Sequence, residues 1–449
     1  MDFKGCIEKL AAAGRLARVR SAVDLRYELA GVAKRFEGGK AVVFDNPKGG
    51  RFPLAIGIWW NRENLACLFG VEAPKLPFLF SDAVKSLHSS PVGPITVKDA
   101  PAQKVAMENP DLADLSVPTF ALKDGGPYFS SCVVIARDPD TGVRNASVHR
   151  LMVAGKRRLG ILLDVGRHLR DYYERAEAKG RPLDITINNG VHPAYYVAAI
   201  TPSAAAPIDK DELAVASALL GEPARLCEGK AVAADGIADA QLIIEGQMLP
   251  ALREPEGPFG EVTGYYSSRA DRWVVDVKAI THAENPLLHS LLPGAEVWNS
   301  VGLTAEASIF ETVSKQVKGL KAVYLTHGGC GFYHAVIQID PPLNGMSKNA
   351  IIATFAAFPP LQAVTAVNGD VDITDAVDVE RALITRCDPA ADIVVVPGML
   401  GHELNPAIDN GLGAKVGFDC TYPVPRESKF EKIKFMDVKL EDYDIGNIR

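Results

Sequence analysis

Three patterns of apolar and polar positions succeed one another along the chain. Over residues 1–112, helical spacing at 7–16 and 25–36 alternates with short apolar runs, Ala41-Val42-Val43-Phe44 and Leu54-Ala55-Ile56-Gly57-Ile58, which predicts a small α/β domain. A passage rich in Pro and Gly, from Asn109-Pro110 to Gly125-Gly126-Pro127, separates it from the central region. Residues 113–293 are strand-rich, with Cys132-Val133-Val134-Ile135-Ala136, Leu183-Asp184-Ile185-Thr186-Ile187, Leu242-Ile243-Ile244 and Trp273-Val274-Val275-Asp276-Val277-Lys278-Ala279-Ile280. Two predicted helices interrupt them, 167–179 closed by Gly180 and 211–220 closed by Gly221. Short strands and turns of this kind suggest a barrel-like sheet. Residues 294–449 return to longer alternation, with helices at 301–317, 347–357 and 377–385 and strands at 322–325, 335–339 and 393–396. The fold class expected is α/β in the broad sense (α+β), in three domains. The charged tail from Glu427 onward suits either a solvated end or an oligomer contact.

Composition narrows the chemistry without choosing it. The 449 residues carry 48 basic and 55 acidic side chains, a net charge of −7, with no dense basic run, so a nucleic-acid partner is not expected. Hydrophobic residues make up 47% and charged residues 23%, ordinary globular usage. Neither a secretory leader nor a membrane-length apolar run is visible, which predicts a cytoplasmic location. The 7 cysteines are scattered without metal-ligand spacing and read as reduced core thiols. Gly411-Leu412-Gly413-Ala414-Lys415-Val416-Gly417 is one residue too long for a dinucleotide fingerprint. There is also no phosphate-binding Walker loop and no His-Glu-x-x-His helix. Asn145-Ala146-Ser147 matches a glycosylation sequon, but no leader would deliver it to the compartment where that modification occurs.

Chemistry is concentrated in two clusters. In Arg253-Glu254-Pro255-Glu256-Gly257-Pro258-Phe259-Gly260-Glu261, two acids lie five residues apart across an insert that fits neither helix nor regular strand. An odd spacing in an unbroken strand would send them to opposite faces, so the insert must turn for Glu256 and Glu261 to reach one site. The second cluster comprises Asn145-Ala146-Ser147-Val148-His149-Arg150, then His168, then Glu212. Asn, His and Glu form a mixed oxygen and nitrogen ligand set that suits Mn2+ or Mg2+. Arg150 would hold a buried carboxylate in its charged form by forked hydrogen bonding.

Together these residues resemble the UbiD family of reversible decarboxylases. The resemblance rests on the Asn-x-x-x-x-Arg element, the later His and Glu, and the closing Glu-Gly-Pro-aromatic-Gly-acid motif. It extends to Pro127-Tyr128, Leu242-Ile243-Ile244-Glu245-Gly246 and Gly411-Leu412-Gly413-Ala414-Lys415, and so spans most of the chain. It implies a central split β-barrel holding prenylated FMN. It implies Mn2+ bound by Asn145, His168 and Glu212, with K+ a further candidate ion nearby. Ser147, Val148, His149, Arg150 and Arg167 join those three as cofactor-binding residues. Arg150, Glu256 and Glu261 form the implied catalytic trio, with Glu261 the proton donor. The reaction implied is non-oxidative decarboxylation, or its reverse with CO2, of an aromatic, heteroaromatic or α,β-unsaturated acid. A flavin prenyltransferase would supply the cofactor, and a homodimer or higher homo-oligomer is expected.

Plainer interpretations stand beside these. Asp209-Lys210-Asp211-Glu212 is also a helix capping pattern, His168 is also a surface histidine of a basic helix, and Arg150 lies near Lys156-Arg157-Arg158 as part of a basic surface. His192 after the Asn189-Gly190 turn reads as loop structure, and His327-Gly328-Gly329-Cys330-Gly331 as a flexible glycine-rich loop after a strand, preferred over a pocket-lining role. Two other functions fit the same chain: an assembly-dependent subunit of a larger carboxylase, and an FMN-binding split-barrel oxidoreductase.

Overall fold

The computed structural model describes residues 1–164, 166–340, 344–408, 411–423 and 425–439. The first helix, Phe3–Ala12, buries Phe3, Cys6, Ile7 and Leu10, one apolar stripe at helical spacing. It ends earlier than its apolar pattern suggests, because the chain turns through Gly14 at φ +69° and Leu16 opens a strand. That strand, Leu16–Val19, begins a sheet that continues through Ala41–Phe44 and Leu54–Ile56. Its fourth strand, Leu288–His289, arrives from far along the chain and pairs parallel to Leu54–Ile56.

The centre is an antiparallel barrel. Its strands are β1 (Tyr128–Arg137), β2 (Arg144–Gly155), β3 (Arg158–Ile161), β4 (Leu183–Asn189), β5 (Leu242–Glu256) and β6 (Ala270–His282). The sheet order is β3-β2-β1-β4-β5-β6, and β3 also pairs with β6, which closes the cylinder and leaves these strands no edge. Cys132, Val134 and Ala136 of β1 join one buried cluster, with Ile244, Val275 and Val277, while Val133 and Ile135 join another. The second cluster includes the helices Pro193–Ile200 and Leu213–Leu220. A strand buried on both faces explains why β1 reads as a continuous apolar run rather than an alternation.

The helix Ala295–Val313 leads from the barrel into the last unit. There a five-stranded sheet, ordered Leu320–Leu325, His334–Ile339, Ala363–Val367, Leu412–Asp419, Ile393–Leu400, packs against the helix Met346–Ala357. The mixed α/β architecture with a central barrel is therefore the one the patterning implied. The described part of the tail is tied to the helix Ala376–Arg386 by Lys432, whose Nζ lies 3.0 Å from Asp378. Residues 440–449 of the expected oligomer contact lie outside the described residues. No described helix is long and apolar enough to cross a membrane.

Candidate active site

β2 carries most of the chemistry because it alternates. Asn145, Ser147 and His149 fall on one face and Ala146, Val148 and Arg150 on the other, so the spacing from Asn145 to Arg150 serves two sites at once.

The Arg150 guanidinium meets both acids of the loop. Its Nε donates to Glu256 Oε1 at 3.0 Å and its Nη2 to Glu256 Oε2 at 2.9 Å, a complete fork. Its Nη1 donates to Glu261 Oε1. All three side chains are sequestered: Arg150 is 9% exposed, Glu256 0% and Glu261 10%. The plainer picture of Arg150 as part of a basic surface does not describe this geometry. The neighbouring bases do lie outside it, with Arg157 donating to the Val277 carbonyl and Arg158 paired with Glu254.

Glu256 ends β5, and the chain then turns at Gly257, whose φ of +88° belongs to the left-handed region. A Cβ on Gly257 would stand 2.9 Å from the Ser268 carbonyl, so only glycine fits. The turn brings Glu261 back to the same guanidinium, as the odd spacing of the acids required. Phe259 fills the space beneath, its ring 4.4 Å from that of Tyr128 and 5.3 Å from the Arg150 guanidinium carbon.

Two supporting residues carried no chemical signal on their own. The Tyr128 hydroxyl donates to Glu256 Oε1 at 2.9 Å, and burial together with the Glu256 charge pushes its phenol well above the ordinary range. Asp124 accepts from the Gly260 backbone N–H at 2.8 Å, one residue before Glu261. An Asp-Gly-Gly turn ahead of a strand was the available signal, and its meaning depended on where the acid loop came to rest.

The second group converges on Glu212, which is 3% exposed. Its Oε1 accepts from Asn145 Nδ2 at 2.7 Å and lies 3.2 Å from His168 Nδ1, while Oε2 accepts from the Ala146 N–H at 3.1 Å. Glu212 stands at the start of the helix Leu213–Leu220 but makes no side-chain cap; Asp211 accepts from the Leu213 N–H instead, at 3.0 Å. Burial raises the Glu212 carboxyl above its usual value, against the opposing hydrogen bond from His168. A carboxylate, an imidazole and an amide meeting at one point fit a hard or borderline divalent cation, and a half-turn of the Asn145 amide brings its carbonyl oxygen to that point. Among the described residues no cluster of three His, Cys, Asp or Glu side chains competes for a metal.

Ser147 donates to Asn145 Oδ1 at 3.2 Å and stands 3.1 Å from His149 Nε2. His149 Nδ1 donates to the Leu162 carbonyl at 3.0 Å, and burial lowers the ring's pKa to about 4, so it is neutral. Val148, His149, Arg150, Arg167 and Glu261 line one cavity, which the helix Ala295–Val313 closes with Val297 and Val301 and the last unit closes with Phe332, His402 and Leu404. Apolar walls with Arg150 and Arg167 on the barrel side, beside Asp164 and Glu261, fit a planar ring system bearing phosphate. The glycine-rich loop after His327 contributes to this cavity only through Phe332 at its end; His327 itself contacts Asn299 at 3.2 Å. His192 caps the helix Pro193–Ile200 by accepting from the Ala194 N–H at 3.1 Å, a structural role.

Family models for the N-terminal, Rift-related and C-terminal domains of 3-octaprenyl-4-hydroxybenzoate carboxy-lyase match residues 7–84, 95–296 and 299–420. The chain belongs to the UbiD family of carboxy-lyases. It is 35% identical to an anhydromevalonate phosphate decarboxylase of Methanothermobacter thermautotrophicus over 87% of this chain and 90% of the relative. It is 30% identical to a gallate decarboxylase of Lactiplantibacillus plantarum, over 93% of each. The UbiD-class enzyme HmfF from Pelotomaculum thermopropionicum, solved with FMN, superposes with a TM-score of 0.93 at 37% identity, covering 99% of this chain and 100% of HmfF. An evolved dimeric form of HmfF was solved with prenylated FMN; it superposes with a TM-score of 0.89 at 36% identity, covering 98% of this chain and 99% of that one.

Proposed function

We propose that the chain catalyses reversible, non-oxidative decarboxylation of an aromatic, heteroaromatic or α,β-unsaturated carboxylic acid, with prenylated FMN and Mn2+. The observation that carries this reading is the buried Arg150 guanidinium shared by Glu256 and Glu261 on the wall of a cavity. Asn145, His168 and Glu212 would hold the metal, and Ser147, Val148, His149 and Arg167 would complete the cofactor-binding surface. The bound flavin supplies the electron sink that side chains cannot offer when a carboxylate leaves an sp2 carbon.

The acid loop manages the proton. Glu256 accepts three hydrogen bonds, two from Arg150 and one from Tyr128, and acts as the anchor. Glu261 has a single Arg150 contact and borders the cavity, so it is placed to carry a proton to the carbon that loses CO2. In the net balance CO2 leaves, the electron pair of the broken C–C bond ends in the new C–H bond, the proton of that bond comes from Glu261, and the Glu261 carboxylate is reprotonated from solvent. A flavin prenyltransferase supplies the cofactor and the working unit is a homodimer or a higher homo-oligomer.

Co-expression with a flavin prenyltransferase and Mn2+ tests this. Glu261→Gln is expected to retain prenylated FMN, by extracted mass and absorbance, and to lose CO2 release by about a hundredfold or more. Glu212→Ala is expected to lose metal and cofactor together. Normal turnover by Glu261→Gln would remove the assigned role.

A further inference from the structure

The wall that the last unit adds to the cavity has a single polar side chain among the described residues. Phe332, His402 and Leu404 face Val297 and Val301 of the connecting helix, with Ile200 beside them. Ring contacts hold His402 in place, with centroids 5.9 Å from Phe332 and 6.5 Å from Tyr333. The Leu404 backbone N–H donates to His402 Nδ1 at 3.2 Å, so Nδ1 is the acceptor and the ring proton resides on Nε2. Nε2 has no hydrogen-bond partner among the described residues. Burial keeps the ring below its ordinary pKa, with Asp164, Arg167 and Glu403 the charged groups around it. His402 is thus a neutral N–H donor without an acceptor among the described residues, on a wall whose other side chains, Phe332 and Leu404, are apolar.

The charges of the cavity point the same way. Among the described residues its cations are Arg150 and Arg167 and its anions Asp164 and Glu261, and Arg150 is also committed to Glu256. Among the described residues no positive charge is left over beyond what one substrate carboxylate and a cofactor phosphate would use. A second anionic group on the substrate would be desolvated against Val297, Val301 and Leu404 without a counter-charge, a cost that general estimates for buried ions place well above the worth of one hydrogen bond.

We propose that His402 sets substrate choice: its Nε2–H receives a hydroxyl, ether or ring-heteroatom acceptor at the end of a monocarboxylic acid remote from its carboxylate, and the aliphatic wall refuses acids bearing a second carboxylate or a phosphate. The inference rests on the decarboxylase reading for the identity of the site. It separates this chain from the anhydromevalonate phosphate decarboxylase relative, since a phosphate would meet one neutral N–H and no counter-charge on this wall among the described residues.

The test uses the holoenzyme, with equilibrium binding by intrinsic fluorescence and CO2 release measured on the same acids: benzoate, meta- and para-hydroxybenzoate, isophthalate and terephthalate. The wild type is expected to bind one hydroxybenzoate about fivefold to tenfold more tightly than benzoate, the factor one neutral hydrogen bond supplies, and both diacids more weakly than benzoate. His402→Phe should erase the hydroxyl preference, read as the ratio of hydroxybenzoate to benzoate affinity within each variant, and His402→Gln, which keeps an N–H donor, should restore part of it. Equal binding of benzoate and both hydroxybenzoates by the wild type, tight binding of either diacid, or a preference that survives in His402→Phe would each overturn the assignment. If the binding pattern holds and none of these acids releases CO2, the His402 assignment stands and the decarboxylase reading loses the simple benzoates as substrates. If CO2 is released and the preference ignores His402, the decarboxylase reading stands and the His402 assignment falls.

Discussion

Asp124 holds the backbone of the residue before Glu261 without lining the cavity itself. Its Oδ1 accepts from the Gly260 N–H at 2.8 Å, and its Oδ2 from the Phe120 and Ala121 N–H groups at 3.2 and 2.8 Å. One carboxylate therefore joins the turn before β1 to the acid loop. A hydrogen bond to a charged acceptor contributes about 1.5–3 kcal/mol. If the Gly260 bond alone holds the loop where Glu261 meets Arg150, Asp124→Ala lowers the population of that arrangement by about tenfold to a hundredfold. Turnover at saturating acid should fall by the same factor. KM should change little, because Asp124 does not border the cavity, and cofactor content should be unchanged, because the Glu212 group lies elsewhere. Asp124→Asn, which keeps one acceptor for Gly260 but turns an amide N–H2 toward the other two donors, should fall between. Burial also raises the Asp124 carboxyl above its ordinary value, so protonation weakens this link at a higher pH than for an exposed aspartate. Wild-type activity should therefore show an acid limb that Asp124→Ala lacks. Initial rates of CO2 release, normalised to flavin absorbance across pH, measure both effects. Turnover of Asp124→Ala within about twofold of wild type at equal cofactor occupancy would refute the reasoning.

The packing leads to two more expectations. Gly257→Ala should keep the barrel and its flavin but lose turnover, since the added Cβ meets the Ser268 carbonyl at 2.9 Å in a left-handed conformation costing about 1–3 kcal/mol; unchanged turnover and unchanged thermal midpoint would contradict this. Lys415 is 2% exposed, donates to the Pro359 carbonyl at 2.6 Å, and is pushed down by burial from 10.5 to about 8. Its folded value lies below its unfolded one, so stability is lost as pH falls from the unfolded value through about 8. Lys415→Met should be the more stable by up to about 3 kcal/mol near neutral pH, with the gap narrowing as pH rises toward about 10. Urea midpoints at two pH values decide it, and a gap independent of pH would sink the argument.

Much of the fold was legible where the signal is local. The helices His168–Ala178 and Leu213–Leu220 close at Gly180 and Gly221, both with positive φ, as left-handed caps require. The strand β2 was not legible as a strand, because its polar residues Asn145, Ser147 and His149 are buried and the usual relation between polarity and exposure is reversed along it. The helix Pro193–Ile200 was hidden for a related reason: all eight residues are buried, so no apolar stripe at helical period stands out. The helices Phe3–Ala12 and Ala295–Val313 begin and end away from their expected limits, and the two-residue strand Leu288–His289 went unseen, because turns and long-range pairing set these boundaries.

The candidate site divides in the same way. By itself the sequence determined that Glu256 and Glu261 must be joined by a turn, that an Asn, a His and a Glu were available for a cation, and that the chain carries the family's motifs in order. These are statements about neighbours in the chain, where steric limits on backbone angles act directly. Only the tertiary structure decided that Arg150 would grip both acids, at sequence separations of 106 and 111, that Glu212 would point to Asn145 and His168 instead of capping its helix, and that His402 would complete the cavity from another unit. The Arg150 contacts depend on the barrel closure that brings β2 and β5 together, and the His402 wall on packing the last unit against that barrel. The burial of apolar surface that drives such closure is non-directional, so no short stretch of residues encodes which partners it brings together.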